Sequence, residues 1–446
     1  MIAVPAIRLS PDEAARRAAA RPGAFWLSTP APDEVGIARD IVGAAPVGIV
    51  RGEGPAELLR VEEAWRDARA AWAASGAPPP PGIPVAVGWF SYDLGRAFVG
   101  LPPRRRDDGT AWPAVEVHRH DAVWVRDAAG DATIFAQDES AARRLAALLE
   151  SPTRASADSR DDVLDLGALT ADHPDARFLD GVRRVLEYLR AGDAYQVNLS
   201  RSLSAPCAPS AAVPVALAAA LRARAPAPHA AMIVAADGEG ALVGNSPERF
   251  LAVSADGAIE TRPIKGTRSR GDTPEADRAA AAALDASAKD RAEHVMIVDL
   301  ERNDLGRVCR TGSVQVASLA RVVALPTVFH MVSTVQGRLR PDVGLAALLE
   351  ATFPGGSITG APKRRAMQII DELEPAPRGL YTGATGWLGA AGDLDLAIAI
   401  RTAVVRGGRL SLSVGGGVVA DSTPEGELAE TEVKARAFAA LCGAAG

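Results

Sequence analysis

The sequence predicts an α+β fold, in which antiparallel β-sheets carry helices on their outer faces. Long β-type runs between residues 194 and 268 follow one another across short gaps. Short gaps make the strands antiparallel neighbours, because a parallel pair needs a crossover of a dozen or more residues. The helical blocks at 273–309, 361–375 and 424–441 stand apart from those runs and do not alternate with them as βαβ units. The length of 446 residues suffices for a large core, arranged as two or three domains or as one intertwined unit.

From the N-terminus, PDEAARRAAA (11–20) reads as a short helix, and AFWLST (24–29) and VGIVRG (47–52) as strands. AELLRVEEAWRDARAAWA (56–73) places Leu59, Val61, Trp65 and Trp72 at roughly helical spacing. The four prolines of SGAPPPPGIP (75–84) favour a stiff, extended connector. VAVGWFSYDLGR (85–96) runs from strand into turn, and VEVHRHDAVWVRD (115–127) and ATIFAQD (132–138) follow as strands. His118 and His120 alternate onto one strand face; with no carboxylate-rich motif beside them, a solvated face is preferred over a metal site. The polar stretch 151–177 marks a boundary between residues 1–150 and 175–440.

Beyond it, Phe178, Val182, Val185, Leu186 and Leu189 line one face of a helix that Gly192 closes. AYQVNLSRSLSA (194–205), AAMIVAAD, GALVGNSPERFLAVS and GAIETRPIKGTR are successive strands, and residues 273–309 are predominantly helical. Strands return at 314–339, a helix follows at 361–375, and three more strands lead to the final helix from Pro424.

Composition narrows the function classes. The chain is 48% hydrophobic and 23% charged with a net charge of -6, so nothing basic invites nucleic acid. There is no run of about 18 apolar residues to span a membrane. Arg8 and Asp12 interrupt the N-terminus before a signal-peptide core forms. Cys207, Cys309 and Cys442 lie far apart with no CxxC pair, which fits a reducing, cytoplasmic setting.

Several residues carry chemistry. In ETRPIKGTR, Lys265 sits between Pro263 and Gly266, on a segment stiff enough to aim an amine; taken alone, a surface turn is the simpler reading. Glu293 falls on the same helix stripe as Ile297 and Leu300, where a carboxylate needs a partner or a cation. Glu427 and Glu430 share a helix face near a start capped by Thr423. By spacing alone, a solvated helix with a Glu430–Lys434 pair is preferred. Three carboxylates from two helices would instead suit Mg²⁺, which takes oxygen ligands. Gly415, Gly416 and Gly417 inside a strand-like run imply a bulge or a close approach, with N–H groups that can bind a carboxylate as a nest. In FPGGSITGAPK, Ala361 stands where a phosphate loop needs lysine; Thr359 is expected to cap a helix opening at Lys363, with an anion contact open to it. Arg401 ends an apolar run, where a bidentate grip on a carboxylate would account for it.

Nine motifs in order (AGDAYQVNLS, GNSPERF, RPIKGTR, AEHVMIVDLERNDLGRVC, FHMVSTVQGRL, FPGGSITGAPK, YTGATGW, AIRTAVV and GGGVVADSTPEGELAETEVKA) resemble the chorismate-utilising enzymes. These include the large components of anthranilate and aminodeoxychorismate synthases and the isochorismate and salicylate synthases. The likeness spans about residues 175–440, with GWFSYDLGR (88–96) a looser match further upstream. It implies an anthranilate-synthase-like layered sandwich: an N-terminal component I region over 1–150 and a chorismate-binding catalytic domain over 175–440. It also implies that Glu293 and Glu430 hold Mg²⁺, with Glu427 helping directly or through water. Gly266, Thr267, Tyr381, Arg401 and Gly415 to Gly417 would contact chorismate. Glu248 would be the general acid at the C4 hydroxyl, and His330 would lie close to the ring.

Within the family, PIKGT is similar to component I of aminodeoxychorismate synthase, whereas anthranilate synthases carry PIAGT. Isochorismate and salicylate synthases place a lysine base where this chain has Gln196, so water activation is not expected. The resemblance implies that Lys265 attacks C2 and that ammonia then replaces it at C4. A free lysine is protonated at neutral pH, and burial, aided by Arg262 and Arg268 if close, would supply the neutral amine. No cysteine lies in a GxCxG turn, so a separate glutamine amidotransferase subunit is expected to deliver ammonia. AFWLST departs from the LLES motif of the tryptophan regulatory pocket, which argues against tryptophan feedback. The alternatives are an anthranilate synthase component I that tolerates lysine, and a non-catalytic chorismate-binding or scaffold subunit.

Overall fold

Alternate residues along the strands send their apolar side chains to two different layers. A computed structural model describes residues 1–29, 39–74, 77–104, 112–151, 164, 166–325 and 328–443. Phe25, Ile41, Val123, Ile233 and Leu242 of one sheet meet Val85, Val87 and Trp89 of the other in a shared core. Their strand neighbours Trp26, Val42, Met232 and Val243 face the opposite way, against helices Pro11–Ala19, Glu139–Glu150, Ala212–Arg224 and Pro424–Ala439. On the far side of the second sheet, Phe90, Leu251 and Leu396 pack on helices Ala288–Gly306 and Leu345–Thr352. Each large apolar side chain so buried contributes roughly 1.5–3 kcal/mol. The result is a layered sandwich with helices outside.

Among the described residues, one sheet has 12 strands and the other 10, and all pairs are antiparallel. Residues 1–150 supply strands to both: Phe25–Thr29 pairs with His229–Val234, and Pro84–Phe90 with Ala384–Gly389. Two of the places where the chain crosses between the sheets are neighbours. Gly240–Ser246 lies in the first sheet and Arg249–Val253 in the second, with Glu248 at the crossing. Leu394–Ile398 and Thr402–Arg406 make the return crossing through Arg401, whose φ is 49°. The pairs Gly244↔Thr402 and Arg249↔Ala397 hold the two crossings side by side, so Glu248 and Arg401 emerge together.

Several sequence expectations need correction. Residues 115–127 are two strands, Val115–Arg119 in the second sheet and Ala122–Asp127 in the first. His118 and His120 are therefore not on a solvated face; the opposing sheet covers both. His118 Nε2 lies 2.9 Å from Glu116 Oε1, and burial, with His118 close by, pushes the His120 pKa down to about 3. In helix Ala56–Ala73, Leu58 is buried and Leu59 exposed. Four strands, not three, precede the last helix. Strands Ile2–Pro5 and Arg39–Gly43 and helices Glu139–Glu150, Ala212–Arg224 and Leu345–Thr352 carry too little pattern to be read locally. Ser75 and Gly76 of the proline-rich connector, and 152–163 and 165 of the boundary stretch, lie outside the described residues.

Candidate active site

Lys265 lies on strand Ile264–Ser269, opposite Met331. A β-bulge follows, with Gly266 unpaired at φ +76° and Thr267 opposite His330. Without that extra residue Thr267 would face Phe329. With it, Thr267 Oγ1 lies 2.9 Å from His330 Nδ1. A side chain at Gly266 would meet the φ penalty and stand 2.9 Å from Leu284 Cδ1.

Lys265 Nζ donates to the Ser357 carbonyl at 3.3 Å, in the turn Gly356–Ile358. Burial lowers its pKa, helped by the Lys434 ammonium, while Glu248, Glu293 and Glu430 act in the opposite sense. The amine is thus withdrawn from water and lies within electrostatic reach of the carboxylates expected around it. Lys434, which the sequence offered only as a partner for Glu430, is the neighbouring cation. Arg262 instead lies 3.0 Å from Glu260, and Arg268 is 2.7 Å from Asp290, so neither takes the expected part.

Glu248 is buried at the sheet crossing, and burial raises its pKa, opposed by Ser357 and by Lys265. A raised pKa suits a carboxyl to proton donation. Its Oε1 is buried without a hydrogen-bond partner among the described residues. His330 is also buried; desolvation, with Arg401 nearby, brings its pKa to about 3, so the ring is neutral. Tyr381 is buried, and burial raises its phenol pKa; the Arg378 guanidinium lies over its ring at 5.6 Å. Among the described residues no hydrogen bond or ion pair engages the Arg401 guanidinium, whose pKa burial lowers against the pull of Glu248.

The carboxylates come from two helices. Glu293 is half-buried on Ala288–Gly306; burial raises its pKa, and both Lys265 and Glu430 influence it. On Pro424–Ala439, Thr423 caps the start by accepting from the Gly426 N–H. Glu427 is buried, accepts from Ser422 Oγ at 2.6 Å, and has its pKa raised by burial. Its Oε2 has no partner among the described residues. Glu430 is half-exposed and pairs with Lys434 at 2.6 Å; partial desolvation raises its pKa, but Lys434 outweighs this and leaves it lowered. So the i,i+4 pair exists beside the Lys265 amine.

Gly415–Gly417 form no bulge. They lie in the continuous strand Arg409–Val418, at Ser200↔Gly415, Leu199↔Gly416 and Asn198↔Gly417, and none has a positive φ, so no nest forms. Close approach explains them. A Cβ at Gly415 would stand 2.3 Å from Leu199 O, and one at Gly416 would stand 2.8 Å from Glu427 Oε2 and 3.3 Å from Glu430 Oε1. Pairing on the other edge stops at Ala403↔Leu412. The pair Arg406↔Arg409 closes a two-residue turn, so odd-numbered residues direct their N–H groups to that edge. The N–H groups of Gly415 and Gly417 therefore face the open edge beside Arg401. Lys434 Nζ donates to Gly415 O there, at 2.6 Å.

Thr359 does not cap the following helix; Pro362 holds the cap position, and Thr359 Oγ1 donates to Gly355 O at 3.0 Å. Lys363 is tied to Asp304 at 2.9 Å and is not free for an anion. Leu27, Ser28 and Thr29 of AFWLST line a cavity of about 290 Å³ between the sheets with Arg39, Trp387 and Asp395.

The donor set can be tested against a divalent cation. Glu427 and Glu430 flank the open point over Gly416, one with a buried oxygen lacking a partner, and all donors are oxygens, as a hard cation requires. As the side chains stand, no three His, Cys, Asp or Glu among the described residues converge on a metal position. No helix of the described residues is long and apolar enough to cross a membrane.

Residues 22–440 match the family described as chorismate binding enzyme. An anthranilate synthase component 1 of Haloarcula marismortui is 41% identical over 380 residues, covering 79% of this chain and 74% of that protein. An aminodeoxychorismate synthase component 1 of Salmonella typhimurium is also 41% identical, over 358 residues, covering 79% and 76%. The crystal structure of anthranilate synthase component I from Streptococcus pneumoniae superposes with a TM-score of 0.77 at 28% identity, covering 92% of this chain and 93% of that one. These two relatives, equally identical to this chain, carry the names of two different activities, and the chain belongs to the chorismate binding enzymes.

Proposed function

We propose that the protein is an aminodeoxychorismate synthase component I, which aminates chorismate at C4 in the route to p-aminobenzoate and folate. The observation that carries this reading is the Lys265 amine, held on the Ser357 carbonyl at 3.3 Å, with its pKa lowered by burial against the pull of Glu248, Glu293 and Glu430. Relatives of both synthase types match at 39–49% identity, and a lysine where anthranilate synthases are expected to carry alanine favours the amination reading.

The Lys265 Nζ lone pair bonds to C2 of chorismate, the ring double bonds shift, and the C4–O bond breaks. Glu248 gives its proton to the departing oxygen, which leaves as water. Ammonia then bonds at C4, the C2–Nζ bond breaks, and its electron pair returns to the lysine. The amine so ends where the hydroxyl was. Arg401 and the Gly415 and Gly417 N–H groups grip the enolpyruvyl carboxylate, Gly266, Gly416, Thr267 and Tyr381 line the ring, and neutral His330 lies close to it. Glu293 and Glu430 would hold Mg²⁺, with Glu427 binding directly or through water; Mg²⁺ held there would anchor the ring carboxylate and draw off negative charge. Glu293 and Glu430, once committed to a cation, no longer favour the proton on Lys265. A glutamine amidotransferase subunit supplies the ammonia, and the enzyme works in the cytoplasm.

The second reading is anthranilate synthase, favoured by the Haloarcula relative. Incubation with chorismate, Mg²⁺ and ammonium, followed by product identification, separates the two. Aminodeoxychorismate supports the proposal; anthranilate with pyruvate overturns it; unconsumed chorismate points to a binding subunit.

A further inference from the structure

Arg378 is buried in the loop after helix Lys363–Leu373, and all the nitrogens of its guanidinium donate hydrogen bonds. Nε and Nη2 form a fork onto Glu374, at 3.0 Å to Oε2 and 2.8 Å to Oε1. Nη2 also donates to Asn198 O at 2.7 Å, and Nη1 donates to Ile358 O at 3.0 Å and to Thr382 Oγ1 at 3.2 Å. The rings of Tyr92 and Tyr381 lie against the same group, with centroids 4.7 Å and 5.6 Å from its central carbon. A lysine would supply Glu374 with a charge. It has no planar fork with which to reach two carbonyls and a hydroxyl as well.

Those contacts join three walls of the candidate active site. Ile358 follows Ser357, whose carbonyl holds the Lys265 amine. Asn198 is the cross-strand partner of Gly417 in the glycine strand. Thr382, with φ 60°, follows Tyr381 and donates to its carbonyl. The GWFSYDLGR segment, remote from all of these in sequence, holds the loop that carries Arg378. The Tyr92 N–H donates to Gly379 O, and Asp93 Oδ2 accepts from the Gly379 N–H, each at 2.8 Å. Arg96 pairs with Asp371, and Arg104, just beyond the segment, donates to the Asp371 and Glu374 carbonyls.

We propose that Arg378 is a positioning residue for the attack by lysine: through Ile358 it fixes the Ser357 carbonyl that aims the Lys265 amine, and through Thr382 it fixes Tyr381 beside the substrate ring. This rests on the amination proposed above. Tyr92 and Asp93 bring residues 1–150 into the same task, because they hold the loop from which Arg378 reaches. A neutral amine that gives one N–H to the Ser357 carbonyl no longer turns freely about its terminal bond. The direction of its lone pair therefore follows the place of that carbonyl. A displacement of about 1 Å is enough to cost about 100-fold in rate.

The test is a single turnover of the full-length enzyme with chorismate and Mg²⁺ but no ammonium. Intact mass spectrometry gives the rate constant and the amplitude of Lys265 adduct formation, and varying chorismate gives its half-saturating concentration. Arg378→Lys should lower the rate constant about 100-fold at near wild-type amplitude, with half-saturation moved by less than about threefold. A role confined to stability would lower the amplitude, which reports the folded fraction, and leave the rate constant unchanged; that result overturns the proposal. Asp93→Leu should lower the same rate constant about 10-fold, the equivalent of one hydrogen bond. Asp93→Asn, whose amide oxygen still accepts from Gly379, should restore it; an unchanged Asp93→Leu overturns the part given to residues 1–150. If Arg378→Lys does not fold, Arg378→Gln combined with Glu374→Gln, which leaves no buried charge unpaired, is judged by the same readouts. A wild type that forms no adduct overturns the amination reading, and this proposal with it.

Discussion

Adjacent glycines in one strand should respond to the same methyl group in opposite ways. At Gly416 the new Cβ would stand 2.8 Å from Glu427 Oε2, well inside contact distance, and 3.3 Å from Glu430 Oε1. No positive φ is at stake, so the strain falls on two side chains. Glu427 can yield only by turning away from Ser422, whose hydroxyl it holds at 2.6 Å. A hydrogen bond to a charged group is worth about 1.5–3 kcal/mol, or roughly a 10- to 150-fold weakening if it is lost on cation binding. At Gly415 the clash is with backbone, 2.3 Å from Leu199 O, and the strand pair must part. Overpacking of this kind costs about 1–3 kcal/mol of stability. The assay is turnover titrated with Mg²⁺, beside denaturant unfolding without it. Gly416→Ala should raise the Mg²⁺ requirement and cost stability no more than that one hydrogen bond, whereas Gly415→Ala should lower stability first. A Gly416→Ala enzyme with the wild-type Mg²⁺ dependence would refute the placing of the cation at Glu427 and Glu430.

Other expectations follow from the same geometry. Lys265→Ala should slow aminodeoxychorismate formation at least 100-fold, about 3 kcal/mol or more of transition-state stabilisation; unchanged kinetics would make the lysine a bystander. Glu430→Ala should lower Mg²⁺ dependence and turnover together, and an unaffected enzyme would place the metal elsewhere. Glu301 is buried, accepts from Thr261 Oγ1 at 2.9 Å, and burial, with Glu248 near, holds its pKa well above 4.5. The native state thus keeps a proton that the unfolded chain releases, so this residue's contribution is complete below 4.5 and is lost as pH rises toward the folded pKa. Glu301→Gln should flatten that decline in denaturant unfolding measured from mildly acidic to alkaline pH; an unaltered slope would show that Glu301 is not the group.

Much of this was legible in the sequence because its signals are local. Periodicity marks the helices around Glu293 and Glu430, and capping marks Thr423. What periodicity cannot tell is which sheet covers a strand face. The alternation of His118 and His120 looks the same whether water or a second sheet lies over it; here the chain crosses between sheets after Arg119, and both rings are buried. Distances along the chain mislead in the same way. Arg262 and Arg268 flank Lys265 in sequence yet pair with Glu260 and Asp290, while Lys434, far away in sequence, acts on the amine. The triple glycine signals a close approach, but only the strand register shows that Gly415 meets backbone and Gly416 meets carboxylates.

Rapid quenching of the enzyme with chorismate and Mg²⁺ in the absence of ammonium, followed by peptide-level mass spectrometry, reaches the core of the account. The reading predicts a chorismate-derived adduct, formed with loss of water, on the peptide carrying Lys265, and its disappearance when ammonium is added. Turnover to aminodeoxychorismate with Lys265 unmodified at every quench time would contradict it.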